Sequence, residues 1–423
     1  MEILKVKGFT GIKKAEIRVQ KFTVFIGHQA SGKSICAKLI YYFRQIISGM
    51  ALDISSGTSK IAIKKKHKVD FARYFPQTAW GREAFEIDYQ LYDFKVKIKS
   101  KNTKAGRGID ITYSKLYDDL LDNIRKEVKK HQDDEFDGYY RLINVDGREE
   151  YVMISPATLV LETARKMIHE DYSNTNYFVP AGRSFFSTLR GNVFSFISTS
   201  IDMDPFLIEF GRLYERMRNI YNNSLGSHAG NKDSRDVFNK IIKGDYKREN
   251  GDDYIFTNGD RSVPISSTSS GQQEALPLLI LLSTLRNNRA RLGVNLFIEE
   301  PEAHLFPDTQ KEFIDYIFTS LSRNVGICVI TTHSPYILSE INNMMYRGSL
   351  VGLVDNERRI KMSADPLVDP KKVEAYHFKD GEVTRIIDSA TGLIDASSID
   401  EASEVITKDF DQLMEIESGL MDV

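Results

Sequence analysis

The stretch KFTVFIGHQASGKSICAKLI, residues 21–40, joins an apolar run, a glycine-containing loop and an amphipathic segment. The apolar run from Phe22 to Ile26 predicts a buried strand, and the apolar spacing after residue 34 predicts a helix. Between them the residues fit G-x-x-x-x-G-K-[ST], in which glycines allow a tight turn and backbone N–H groups wrap a phosphate at the helix start. This pattern predicts a phosphate-binding loop formed by Gly27, His28, Gln29, Ala30, Ser31, Gly32, Lys33 and Ser34. In such a loop, Lys33 reaches the β- and γ-phosphates and Ser34 binds Mg²⁺.

The composition is that of a globular protein with a substantial core. Of the 423 residues, 41% are hydrophobic, which suffices for one large domain or for two to three ordinary ones. The 57 Lys and Arg residues nearly balance the 59 Asp and Glu residues, so the net charge of −2 neither requires nor excludes nucleic acid. Cys36 and Cys328 lie in apolar segments, which predicts buried thiols in a reducing cytoplasm. The sequence has no bilayer-spanning run and no signal-peptide pattern, so we expect a cytoplasmic protein with no membrane contact.

The region from residue 51 to residue 259 differs in character from the stretches on either side. Residues 84–100 alternate between apolar and polar side chains, which predicts a β-hairpin. We expect an inserted lobe here, with this hairpin and with mostly helical structure around it. The other elements predicted in this part are a strand at 109–113, helical segments at 114–131, 155–168, 184–223 and 238–242, and a hairpin over 246–265 with its turn at Asn258, Gly259 and Asp260.

Two basic segments of this region are candidates for contact with nucleic acid. The first is the run Lys64–Lys68, and the second is a loop that contains Lys101, Lys104 and Arg107. Clustered cations bind the phosphate backbone, but a run of charge is also typical of an exposed, solvated loop. Both interpretations stay open at the level of sequence.

The second half of the chain contains a polar loop and two apolar strands that end in functional residues. Ser266 to Glu274 precede an apolar helix and either bind a second phosphate face or cap the helix in the ordinary way. The run 294–298 ends at Glu299 and Glu300, and the run 326–332 ends at His333. Because open α/β sheets place their ligands at the carboxyl ends of strands, these side chains are expected to meet in one crevice.

The residue types at these strand ends suggest separate roles. Glu299 is expected to approach Mg²⁺, and Glu300 to act as general base on the attacking water. His333 is interpreted as a sensor of the γ-phosphate, although a lone histidine is often structural. The tail is predicted to contain a hairpin at 375–384 and a closing helix at 399–416.

The phosphate loop, the Ser-Gly-Gln loop, the Glu-Glu strand and the histidine occur in the order seen in ABC-type ATPases. The chain resembles the non-transporter branch of these enzymes, which includes RecF, SMC heads and OLD-like proteins, over about residues 1–50 and 260–385. IEEPEAHLFP at 298–307 and TTHSPYIL at 331–338 look most like the stand-alone ATPases of bacterial anti-phage systems, such as the Septu ATPase PtuA with its retron-associated relatives, and like the ATPase part of OLD-family nucleases. The resemblance implies an α/β fold: an ABC-type P-loop head with a mixed β-sheet and flanking helices, an inserted lobe at 51–259 and a helical tail at 386–423.

The resemblance also implies cofactors, a site and an assembly. ATP and Mg²⁺ would be the cofactors, with Glu299 and Glu300 as the Walker B pair and His333 as the switch histidine. The signature loop would consist of Ser269, Ser270, Gly271 and Gln272, and it would face the nucleotide of another subunit in a head-to-tail dimer. The sequence departs from the family in lacking the usual signature leucine, in having serine at the first signature glycine and in having glutamate at the usual Mg²⁺-associated aspartate.

Two functions follow from this resemblance. OLD nucleases continue into a Toprim domain, whereas the roughly ninety residues after His333 show no Asp-x-Asp cluster, and no His/Cys spacing indicates an HNH nuclease. The first function is therefore an ATP-hydrolysing sensor and scaffold that controls a separately encoded nuclease or toxin. The second is a RecF-like repair clamp that grips duplex DNA, and a transporter ATPase is a weaker third reading.

Overall fold

The structure is a computed structural model. It describes residues 1–103, 106–132, 140–145, 148–153, 155–170, 172, 175–188, 203–225, 232–249, 251–257, 261–287, 293–321, 325–355, 357 and 366–395. The helices are α1 (Lys33–Ser48), α2 (Met50–Ser55), α3 (Lys60–Tyr74), α4 (Lys115–Gln132), α5 (Pro156–Met167), α6 (Ser184–Thr188), α7 (Pro205–Leu225), α8 (Lys232–Ile242), α9 (Ser270–Asn287), α10 (Pro307–Leu321) and α11 (Pro335–Leu350).

The strands are numbered in the same way along the chain. They are β1 (Glu2–Phe9), β2 (Ile12–Val19), β3 (Phe22–Gly27), β4 (Glu86–Leu91), β5 (Phe94–Thr103), β6 (Gly106–Tyr113), β7 (Tyr140–Val145), β8 (Arg148–Met153), β9 (Thr175–Val179), β10 (Asp245–Glu249), β11 (Asp252–Thr257), β12 (Arg261–Pro264), β13 (Val294–Glu299), β14 (Val325–Thr332), β15 (Val373–Lys379) and β16 (Glu382–Arg385).

Within the described ranges, eleven strands form one mixed sheet in the order β6-β5-β4-β1-β2-β16-β15-β3-β14-β13-β9. The half from β15 to β9 is parallel, and the half from β6 to β2 is antiparallel. The phosphate-loop strand β3 lies between β15 and β14, so its carboxyl end opens next to the ends of β14 and β13. Parallel order therefore brings together the residues that follow these three strands.

The parallel half is covered by helices on both faces, which explains its apolar sequence. Successive residues of β3 point to opposite faces: Phe25 joins one hydrophobic cluster, whereas Val24 and Ile26 join the other. Helix α1 contributes Ile40 to the first cluster, and α9 contributes Leu279 to the second. The packing of helices on both faces of the sheet holds the start of α1 against the end of β3.

The structure confirms the predicted α/β fold with its mixed sheet and flanking helices. The strands before the phosphate loop, the helix after it and the strands that precede Glu299 and His333 are all present. The hairpins predicted at 84–100 and 375–384 correspond to β4–β5 and β15–β16. Cys36 and Cys328 are both buried, and burial raises the pKa of each thiol.

The region predicted as an insertion contributes to the main sheet as well as to small sheets of its own. Strands β4–β6 form one edge of the main sheet and β9 forms the other. The strand predicted at 109–113 is the second part of β6, and the hairpin over 246–265 is the three-stranded sheet β10–β12. The boundaries of the insertion at 51 and 259 stay a prediction.

The interpretation of Lys64–Lys68 as a loop is wrong, because these residues belong to α3. Lys64 pairs with Asp118 at 2.9 Å, and Lys66 pairs with Asp53 at 2.5 Å. Lys68 pairs with Asp110 at 3.2 Å. These carboxylates come from other helices and strands, so the sequence of the run alone could not reveal them.

Some expectations fall outside the described residues. They are the turn at 258–260, the helix at 399–416, Lys104 and part of the helical stretch 184–223. In the described portions, no helix is both long and apolar enough to cross a bilayer.

Candidate nucleotide-binding site

The phosphate loop connects β3 to α1 through two glycines that no other residue could replace without strain. Gly27 has φ +149°, and a Cβ atom there would lie 2.2 Å from the Phe378 carbonyl oxygen. Gly32 has φ +101°, and a Cβ atom there would lie 2.7 Å from Cγ1 of Ile12. The hairpins β1–β2 and β15–β16 thus shape the loop from outside, and they leave a cradle at the N-terminus of α1 that suits an anion.

The loop presents its middle to solvent and its lysine to the interior. His28, Gln29 and Ala30 are exposed, whereas Ser31 and Ser34 are half-buried. Lys33 is buried, and its Nζ donates hydrogen bonds to the carbonyl oxygens of Gly27 and His28, each at 2.7 Å. The ammonium therefore folds back onto its own loop.

The electrostatic state of Lys33 shows that it lacks a full counter-charge. Burial lowers its pKa to about 8, and the nearby carboxylates of Glu300 and Glu302 oppose this shift only in part. A phosphate bound in the cradle would supply the missing negative charge. The burial of this cation beside the loop thus favours an anionic ligand at this point.

His333 connects this lysine to the carboxylate of Glu300. Its Nδ1 lies 3.4 Å from Nζ of Lys33, and its Nε2 lies 3.0 Å from Oε1 of Glu300. A neutral imidazole with its proton on Nε2 satisfies both contacts, because it accepts from the ammonium and donates to the carboxylate. The hydrogen bond from His333 is the main cause that lowers the pKa of Glu300, so this carboxylate is ionised at neutral pH.

The two other glutamates of the EEPE sequence are buried and have different surroundings. Oε2 of Glu299 accepts a hydrogen bond from the N–H of Ala181 at 3.2 Å, while its buried Oε1 has no hydrogen-bond partner in the described structure. Glu302 accepts from the Thr332 hydroxyl at 2.5 Å and from the N–H of His333 at 2.8 Å. Burial raises the pKa of Glu302. Glu302 therefore holds the turn that carries His333.

The predicted signature residues lie at the start of α9. Ser269 and Ser270 are exposed and can be reached from outside. The amide of Gln272 is engaged within the chain, since its oxygen accepts from the N–H of Ser269 at 3.1 Å and its nitrogen donates to the Ile242 carbonyl at 2.7 Å. This cap orients the loop, and it leaves the two serines as the groups presented to solvent.

Gly271 is held against the loop that follows the acidic strand. A Cβ atom at this position would lie 2.7 Å from the carbonyl oxygen of His304. Any side chain at 271 would thus disturb the loop that follows Glu299 and Glu300 in the same subunit. Ser269 is the better position for a substitution that tests the signature loop.

Sequence reasoning missed two buried charged residues that organise the site. The sequence patterns by themselves assign no role to Glu302 or to Arg183. Arg183 is completely buried, and its guanidinium donates to the carbonyl oxygens of Glu299 at 2.6 Å and Glu300 at 2.9 Å. The one available signal is a charged residue four positions after the end of β9, in the turn Pro180-Ala181-Gly182-Arg183.

The loop, the buried lysine and the convergent strand ends define the chain as a P-loop nucleotide-binding protein. It matches the AAA ATPase domain family over residues 1–338 and belongs to that family. No curated protein matches the sequence.

Several solved SMC head domains are distantly similar to the chain. The SMC head bound to the C-winged helix domain of ScpA is 16% identical, with 91% of this chain and 96% of that chain covered at a TM-score of 0.41. An SMC head with an extended coiled coil, bound to the C-terminal domain of ScpA derived from Pyrococcus furiosus, is 14% identical, with coverage of 99% and 100% and a TM-score of 0.38. The SMC head from Thermotoga maritima is 11% identical, with coverage of 91% and 98% and a TM-score of 0.34. Similarity at this level supports no inference about function or partners.

Proposed function

We propose that this chain binds ATP in the phosphate loop and hydrolyses it to ADP and phosphate. The observation that carries the proposal is the continuous set of contacts from Lys33 through His333 to Glu300, which joins residues from three separate strand ends. Catalysis of phosphoryl transfer depends on positioning and on electrostatic stabilisation, and these three groups can supply both. ATPase measurements on Lys33→Ala and Glu300→Gln test the proposal directly.

The residues of the site have distinct tasks in this reaction. The triphosphate replaces the carbonyl groups of Gly27 and His28 as acceptor for the Lys33 ammonium. Glu300 takes a proton from a water molecule whose oxygen bonds to the γ-phosphorus, while the bond to the β–γ bridging oxygen breaks and ADP leaves. His333 holds the Glu300 carboxylate through Nε2 and stands beside the γ-phosphate position.

Ser34 and Glu299 are the residues that would hold Mg²⁺. The unpartnered, buried Oε1 of Glu299 fits this assignment, because buried carboxylate oxygens are normally satisfied by a donor or by a cation. When bound, the ion would neutralise charge on the β- and γ-phosphate oxygens. We therefore expect activity to depend on Mg²⁺.

We further propose that two subunits enclose the nucleotide between them as a head-to-tail dimer. Among the described residues, no hydrogen bond joins the signature loop 269–272 to the phosphate loop 27–34 of the same chain. Ser269 and Ser270 are exposed, so a nucleotide held by a neighbour can reach them, although the Ser269 hydroxyl donates to Oε1 of Gln272 at 3.0 Å within the chain. Such an arrangement gives the signature loop a binding role that it lacks within one subunit.

The composite site can be tested by mixing two inactive variants. Ser269→Arg keeps its phosphate loop but carries a bulky cation where the neighbour's nucleotide must dock, and Lys33→Ala keeps only its signature loop. In a mixed dimer, one intact phosphate loop faces one intact signature loop. We expect ATPase activity to return to about a quarter of the native rate. Random pairing of equal amounts of the two variants makes about half of the dimers mixed, and each mixed dimer has one working site of its two.

If both sites must fire together, ATP-dependent crosslinking of the mixed pair should still be seen. Ser349→Arg, at an exposed serine near the end of α11, is the matched control and should retain native activity. The absence of both ATPase activity and crosslinking, in mixtures shown to exchange subunits, would contradict the dimer. So would full activity of Ser269→Arg alone.

For the biological role, we propose a sensor and scaffold that controls a separately encoded nuclease or toxin in anti-phage defence. The support is the resemblance of residues 298–307 and 331–338 to the Septu and retron-associated ATPases. A nucleotide-dependent dimer is a suitable control element, because its assembly state can report a change to a bound effector.

Phage infection of cells that carry the gene with its chromosomal neighbours tests this role. We expect fewer plaques with the native gene than with Lys33→Ala, which should behave like an empty vector. Plaque counts equal for all three strains would argue against a role in defence. That result would leave the ATPase proposal in place, because ATP hydrolysis is measured separately on the purified protein.

The alternative of a DNA-gripping clamp receives little support from the basic residues. Three lysines of α3 are paired with aspartates within the chain, as described above. Lys101 is likewise paired with Asp110 at 2.6 Å. Cations that already have partners offer less positive potential to a phosphate backbone.

A further inference from the structure

Arg183 lies between the signature helix, which is α9, and the end of β13, where Glu299 and Glu300 stand. It lies in the turn between β9 and α6 and is completely buried. Its Nη1 donates to the carbonyl oxygens of Pro180 at 3.0 Å and Glu299 at 2.6 Å, and its Nη2 donates to that of Glu300 at 2.9 Å. The guanidinium therefore holds the backbone of both acidic residues of the strand end.

The same arginine is bound to the first turns of α9. Its Nε donates to the carbonyl oxygen of Glu274 at 3.1 Å, and its backbone N–H donates to the Glu274 carboxylate at 2.9 Å. The second oxygen of that carboxylate accepts from the N–H of Ser184 at 3.0 Å. Glu274 stands four residues after Ser270, at the end of the first turn of α9. One side chain thus connects the helix behind the signature loop to the loop of the general base.

This junction places the catalytic carboxylate in an unusual backbone conformation. Glu300 has φ +42°, a left-handed backbone conformation that residues other than glycine rarely adopt. Its N–H donates to the Thr331 carbonyl at 2.9 Å, and its carbonyl accepts from Arg183. Contacts from two sides therefore define the direction in which the Glu300 side chain points.

Burial of the charged guanidinium of Arg183 is unfavourable, because the group loses its contact with water. Burial lowers the pKa of Arg183, and Glu274 is the main carboxylate that opposes this shift. Most of its hydrogen bonds go to backbone carbonyls, so that any change in the path of either loop breaks them. Such an arrangement transmits displacement between the two loops, because packed interiors do not deform continuously.

We propose that Arg183 is a positioning residue that couples the two composite nucleotide sites of the dimer. It holds Glu300 for the nucleotide of its own subunit and holds the signature helix for the nucleotide of the partner. Docking of the signature loop on one nucleotide is thereby communicated to the general base that acts on the other. This inference rests on the proposed ATPase dimer.

The coupling predicts two separable defects in Arg183→Lys, since lysine cannot reproduce the forked contacts. The first readout is ATP-dependent dimerisation in a Glu300→Gln background, where chemistry is switched off. The second is kcat at protein concentrations high enough to complete dimerisation. We expect the dimerisation affinity to fall about 10-fold and kcat about 10- to 100-fold, as for loss of hydrogen bonds from a charged group. The affinity of the monomer for ATP should stay within about 3-fold, since the phosphate loop is not touched.

Arg218→Lys is the matched control. Arg218 is also a buried arginine paired with a carboxylate, at 2.6 Å from Asp253, and none of its described contacts reaches the acidic strand end. Both readouts should be native in this variant. If Arg183→Lys does not fold, Glu274→Gln takes its place, because it removes the carboxylate charge while it keeps the side-chain shape.

A folded Arg183 or Glu274 variant with only one of the two defects would overturn the coupling, because a residue that supports a single loop moves a single readout. Native values of both readouts would overturn it as well. These results differ from failure of the proposed function, in which the native chain does not hydrolyse ATP or the Glu300→Gln chain does not dimerise with ATP. That failure would overturn both proposals.

Discussion

Lys33→Ala is expected to lose ATP binding while the protein stays folded. The ammonium of Lys33 lies within the loop, where it donates to the carbonyl oxygens of Gly27 and His28, and we expect a bound triphosphate to replace these acceptors. Loss of two or more hydrogen bonds from a charged group to phosphate should weaken binding at least about 100-fold. Titration with a fluorescent ATP analogue, or calorimetry, measures the effect.

The fold should tolerate this substitution because Lys33 is held in an unfavourable state. Its pKa is lowered to about 8 in the folded protein from an ordinary value near 10.5. The protonated lysine therefore costs stability below pH 8, and the cost disappears as pH rises from 8 towards the ordinary value. We accordingly expect the thermal midpoint of Lys33→Ala at neutral pH to be no lower than that of the native chain.

Lys38→Ala is the matched control for this experiment. Lys38 belongs to the same helix, but its ammonium pairs with Asp204 at 2.9 Å. Its removal should leave ATP affinity unchanged. Native affinity in a folded Lys33→Ala protein would show that residues 27–34 do not form the nucleotide site.

Glu300→Gln is expected to keep ATP bound and to slow its hydrolysis by roughly 10²- to 10⁴-fold, the usual contribution of a positioned general base. Glutamine keeps an oxygen that can accept from Nε2 of His333, so the local geometry should survive. It lacks the negative charge that can take a proton from water. The amide variant should therefore accumulate as an ATP-bound dimer, which light scattering after gel filtration detects.

The control for Glu300→Gln is Glu312→Gln, which removes a partly exposed carboxylate of α10 that pairs with Lys240 of α8. It should turn over ATP at the native rate and remain in the native exchange between monomer and dimer. Full turnover by Glu300→Gln would instead move the base to Glu299, Glu302 or His333. Among these, Glu302 is the least suited, because one of its oxygens is engaged by Thr332 and His333.

Much of the fold could be predicted from local patterns. The phosphate loop is defined by residues adjacent in sequence, and the conformations of Gly27 and Gly32 explain why the pattern requires glycine. The apolar strands before Glu299 and His333 are equally predictable from the sequence, because buried parallel strands are rich in apolar residues. Their convergence followed from the general rule that ligands lie at the carboxyl ends of such strands.

The run Lys64–Lys68 shows where the local sequence pattern is insufficient. A run of lysines resembles a solvated loop, since Asp70 alone lies close enough in sequence to balance part of the charge. The balance comes from Asp53, Asp110 and Asp118, which α2, β6 and α4 bring to the face of α3. Charge pairing across elements depends on their packing, which sequence periodicity does not record.

The sequence by itself determined the phosphate-binding loop, the acidic strand end and the histidine, because each of these is encoded by a short contiguous pattern of residues. Only the tertiary structure decided that Lys33 contacts His333, three hundred positions away, and that Arg183 joins the helix of Ser270 to the backbone of Glu300. The physical reason is that such contacts depend on the order of strands in the sheet. In this sheet β14 lies between β3 and β13 although it follows both in the chain, and that order results from the packing of whole elements.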